Sequence, residues 1–178
     1  MKRTYAYVGP VSLLKQLDLT QVGTRILSPQ QVLQWIENTR QKQTNQQIVA
    51  TFVVNLQEEL IINDRHSEHV MCAGGHPVLS AGEITFEVNK AHVSVVAVTN
   101  QSTGYCPEPS SWPSVARAMS KAGLEGPHCF TNAYEFRFCY HCQQINLIKD
   151  QVFECVVCEN MLEAHWNLDQ KDNTIGSN

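Results

Sequence analysis

Cys139-x-x-Cys142 and Cys155-x-x-Cys158, with twelve residues between the pairs, constrain this chain more than any other feature. A Cys-x-x-Cys segment makes a tight turn that presents two sulfurs to one side. Two such turns complete the four-coordinate tetrahedron that a structural metal prefers. The spacing therefore predicts one structural Zn²⁺ held by Cys139, Cys142, Cys155 and Cys158. Two disulfides or a redox dithiol would use the same residues, but a redox pair sits where a strand enters a helix. Nothing helical follows either pair in the sequence.

The remaining composition sets the scale. A chain of 178 residues with 43% hydrophobic content buries one real core, with the cysteine segment appended to it or docked on it. Its net charge of −4 comes with neither a basic stripe nor a polyanionic tail, so nucleic acid is not an expected partner. The basic start, Met1 to Tyr7, is not followed by an apolar stretch long enough for a signal peptide or a membrane span. The expectation is a cytoplasmic protein with no membrane partner. Seven cysteines, an odd number, fit a reducing compartment, and Cys72, Cys106 and Cys129 read equally as small buried residues or as reactive groups.

The elements follow from periodicity. A helix is expected over Pro29 to Arg40, with Ser28 as N-cap, Gln31 placed for a capping box, and Val32, Leu33, Trp35 and Ile36 as its buried stripe. Ile48 to Val54 is a continuous β-branched run that predicts a strand covered on both faces, paired in a hairpin with Leu60 to Ile62. Ile84, Phe86 and Val88 alternate with polar residues, and Asn89-Lys90 turns the chain into Val93 to Thr99, a second hairpin. A second helix is expected from Trp112 to Lys121, capped by Ser110 or Ser111, burying Trp112, Val115 and Met119 and stopped by Gly123.

Tyr134 to Phe138 reads as a strand entering the first cysteine pair, and Ile145 to Ile148 with Val152 to Glu154 as a hairpin between the pairs. This segment resembles a zinc ribbon, with the four cysteines at the ligand positions, over about Phe136 to Glu163. The resemblance implies a metal and a local structure only, because ribbons serve many functions. The alternation of long polar loops and apolar strands is similar to that of short bacterial proteins that end in a ribbon. The fold expected is α+β: an antiparallel sheet of hairpins with two helices and a C-terminal zinc ribbon. Residues 1–132 would form the α+β domain, 133–166 the ribbon and 167–178 a disordered tail.

Hairpin geometry places the loops 64–82 and 100–110 at one end of the sheet, since the start of the third strand lies beside the end of the fourth. Arg65, His66, Glu68, His69, Tyr105, Cys106 and Glu108 on these loops form the candidate ligand site. Three uses compete. His66, His69, Cys72 and His76, joined by Cys106, have the spacing of a second metal site. A Cys106 thiol activated by His66 or His69 would make an enzyme, a hydrolase or transferase. Arg65 and the start of the second helix would make a pocket for a small or anionic ligand. The reading that follows is a zinc-binding module for a small molecule or a protein. A metal- or Cys/His-dependent enzyme is the first alternative and a nucleic-acid-binding ribbon the second. A protein adaptor would instead show an exposed apolar patch on the ribbon or around Trp166.

Overall fold

The computed structural model describes residues 2–169, a mixed α/β chain built on a five-stranded antiparallel sheet. In chain order the elements are α1 (Val11–Leu14), β1 (Thr24–Ile26), α2 (Pro29–Asn38), β2 (Gln47–Val54), β3 (Leu60–Asp64), α3 (His69–Cys72), β4 (Ser80–Asn89), β5 (His92–Val98) and α4 (Trp112–Lys121). A separate two-stranded sheet, β6 (Glu135–Phe138) with β7 (Ile145–Ile148), follows. The main sheet runs β1-β3-β2-β4-β5 and contains both expected hairpins, β2–β3 and β4–β5.

β2 lies between β3 and β4 and is buried on both faces, as its unbroken apolar run requires. Ile48, Ala50, Phe52 and Val54 point to one side and pack with Val32 and Trp35 of α2 and with Val115, Ala118 and Met119 of α4. Val53, Ile61 and Ala81 point to the other side, where Tyr5, Val70, Cys72, Val78 and Tyr105 cover them. Each large side chain buried in these layers contributes about 1.5–3 kcal/mol of transfer free energy. The second layer is assembled from distant pieces: Tyr5 exchanges both backbone hydrogen bonds with Val78, and the Val8 N–H donates to Gly104.

Several local expectations change. The two helices expected are α2 and α4; α1 and α3 are additional single turns. β1 pairs with the outer side of β3, and β4 begins at Ser80 rather than at Ile84. Only glycine fits at position 82, since a Cβ there would lie 2.0 Å from the Thr99 carbonyl oxygen. The Ser28 hydroxyl makes no cap bond, and the Gln31 side chain accepts from the Leu27 N–H instead. Ser111 likewise does not cap α4; its hydroxyl shares a buried hydrogen bond of 2.9 Å with Ser80. Gly123, at φ 63°, does end α4. Among the described residues no helix is long and apolar enough to cross a membrane.

The C-terminal segment is fastened to the sheet. Buried Asn100 donates to the carbonyls of Pro107 and Tyr134 and accepts from the Tyr134 N–H, each at 2.7 Å. The Trp166 indole donates to the Cys106 carbonyl. Asn167 and Leu168, which open the stretch expected to be a disordered tail, are buried: Asn167 exchanges two hydrogen bonds with Phe138, and Leu168 packs with Cys106, Phe136 and Phe138. Residues 170–178 of that stretch lie outside the described residues.

Candidate functional site

The four cysteines converge. Their sulfurs all lie within 4.8 Å of one another, with Cys139 to Cys158 at 3.6 Å and Cys142 to Cys155 at 3.5 Å. Sulfurs each about 2.3 Å from a tetrahedral zinc would be about 3.8 Å apart, so the cage has the size of a four-sulfur metal site. Among the described residues this is the only group of three or more Cys, His, Asp or Glu with ligand atoms gathered in this way.

Two matching turns build the cage. The Gln143 N–H donates to the Cys139 carbonyl and the Glu159 N–H to the Cys155 carbonyl. Each turn is completed by a left-handed residue, Gln143 at φ 61° and Glu159 at φ 60°. Asn160 donates its side-chain amide to the Cys158 sulfur. Burial works to raise the Cys155 pKa, but backbone N–H groups of Val157 and Cys158, with help from Cys142 and Asn146, bring it down to about 6. Burial and the neighbouring sulfurs push Cys142 up to about 12. Four sulfurs this close cannot all ionise against one another, and a divalent cation among them removes that conflict.

The pairing of β7 differs from expectation. β7 pairs with β6, and the hairpin expected between the cysteine pairs is reduced to a single bridge between Lys149 and Val152. The small core beneath is Cys139, Cys155 and Leu162 with Ile148 and Phe153. Arg137, in β6, is 4% exposed and spends its guanidinium on the carbonyls of Phe136, Glu163 and Ala164 and on Glu135. It holds the segment together and is not displayed toward solvent.

The loop residues are placed less simply. Arg65 pairs with Glu83, and His66 with Asp64, both on the exposed side of the β3 end. Glu68 is exposed and precedes α3. His69 turns inward, bonding the Gly82 carbonyl at 3.0 Å, and burial lowers its pKa. Tyr105 is fully buried, donating to the His76 carbonyl, and burial raises its pKa. Cys72 is buried, with its thiol pushed up to about 12 by desolvation. Cys106 is buried and donates to the Thr103 carbonyl, whereas Cys129 is exposed. Glu108 faces a different cavity from Arg65 and pairs with Arg3.

Sequence reasoning missed the contribution of the N-terminal segment. The Tyr5–Val78 pairing carries Lys2 and Arg3 to the start of α4. A two-residue bridge leaves no periodic signal, although the basic start itself was visible. Comparisons with protein-family models, with curated proteins and with solved structures find no match, so the functional reading rests on the geometry of this chain.

Proposed function

We propose that the four cysteines bind one structural Zn²⁺ and that the chain is a zinc-stapled binding module for a small molecule or a protein. The observation that carries this is the gathering of four sulfurs within 4.8 Å by two matching turns. Four protein ligands leave no open coordination position for substrate, which favours a structural ion over a catalytic one. The candidate Cys/His pair also favours binding over catalysis: His69 is held by the Gly82 carbonyl, and the Cys106 thiol donates to the Thr103 carbonyl.

Chelation of the reduced protein tests the staple. Removing the metal should open the segment 133–166 to protease and lower Tm by roughly 10 °C, because ligation supplies folding free energy that this small core lacks. An unchanged Tm together with an unchanged digestion pattern would contradict the reading.

A specific observation favours a protein as one of the partners. Val156 and Met161 are 83% and 80% exposed, and Val152 and Val157 are exposed beside them. Exposed Glu154, Glu159 and Glu163 lie on the same stretch of chain. The partner this surface suits presents an apolar patch with a basic rim; a second copy of the chain would set like charges against each other.

A further inference from the structure

A cavity of about 630 Å³ opens between the N-terminal segment and the start of α4. Its charged walls are Lys2, Arg3 and Arg117 against one carboxylate, Glu108, and Ser110, Ser111 and Ser114 add hydroxyls. The chain as a whole has more acidic than basic side chains, 17 against 13, so this is a local reversal of sign. The cavity's three cations share two carboxylates. Lys2 and Arg117 meet on Glu58, beside the cavity, and Arg3 pairs with Glu108. Fastening these two carboxylates would need two cations; the arrangement leaves a surplus of one positive charge. Hydrogen bonds from Lys2 first and then from Arg117 hold the Glu58 carboxyl down to about 2.

The cations are about half exposed and flexible enough to turn from their partners toward a ligand. Arg117 already reaches the Ser114 hydroxyl, and the hydroxyl of Ser110 lies near Glu108. Leu79 and Pro113 supply apolar wall, and the volume falls within the range typical of small-molecule sites, about 300–1,000 Å³. A closed group of cations with hydroxyls suits a compact dianion with several oxygens. A nucleic-acid backbone would need an extended basic track instead.

We infer that this cavity binds a small organic phosphate monoester, with Arg3, Arg117 and Lys2 facing the phosphate and Ser110 and Ser114 beside it. The inference rests on the reading of the chain as a binding module and is independent of the metal. It also relocates the anion site expected beside Arg65: the arginines that line the cavity beside α4 are Arg3 and Arg117.

Calorimetric titration of the zinc-loaded chain with adenosine 5′-monophosphate and with inorganic phosphate, at constant ionic strength, tests it. Both should bind, the monoester more tightly. The Arg3→Gln/Arg117→Gln variant should lose at least about tenfold in affinity, as expected for removing charged hydrogen bonds, and Arg65→Gln should lose nothing. Ser110→Asp, which puts a negative charge in the cavity and leaves the cations in place, should weaken binding even if the double variant is poorly folded. No saturable binding of either probe, or equal affinity in wild type and Ser110→Asp, would overturn the inference. Either failure would leave the zinc content unchanged, so the two readings fail separately.

Discussion

Glu58 shows how one side chain can serve both stability and a site. It sits at φ 58° in the turn between β2 and β3, where its carboxylate receives Lys2 and Arg117, with Lys121 at 3.7 Å. Its carboxyl is depressed from 4.5 to about 2. A depressed carboxyl favours the folded state above the unfolded value, and that contribution is lost as pH falls from about 4.5 through about 2. The advantage of wild type over Glu58→Gln in urea midpoint should therefore be constant above this window and shrink within it. Added salt should reduce it, since the pairs are partly exposed. A difference that stays the same across the window would mean that Glu58 acts through packing and not charge. Residue identity alone predicted none of this, because the partners of Glu58 are 56, 59 and 63 positions away.

At the scale of elements, periodicity was a good guide where an element is long and its burial regular. β2 carries seven apolar or β-branched residues in succession and was readable as a doubly covered strand. Its hairpin with β3, the β4–β5 hairpin and the helices α2 and α4 were readable too. The three-residue β1 and the single turns α1 and α3 are too short to express a period; tertiary pairing makes them. The caps were misread for a related reason: Ser28 and Ser111 had the right residue type, but Ser111 found a better partner in Ser80 across the fold. The exposed valines of the second cysteine turn are the element most open to test. Val156→Asp should leave Tm and zinc content unchanged, because the side chain faces solvent. It should weaken capture of a protein partner relative to wild type; a large loss of stability would mean that Val156 packs against this chain.

For the whole molecule, the cage was readable because its information is local, four cysteines in two short turns. The second half of the candidate site was not. Residues of the loops 64–82 and 100–110 are near the expected end of the sheet, but β4 begins early and draws Ser80 and Gly82 into the sheet. His69, Tyr105 and Cys106 then serve as packing and hydrogen-bonding groups, and Arg65 and Glu108 face separate cavities. Contacts from distant parts of the chain decide such placements, and spacing carries no record of them. The central claim is the metal, and the direct measurement is elemental analysis of reduced, untagged chain purified without added metal, beside a Cys139→Ser/Cys155→Ser variant. One zinc per wild-type chain and none in the variant is the expected result. Wild type without zinc, or a variant that keeps it, would contradict the claim.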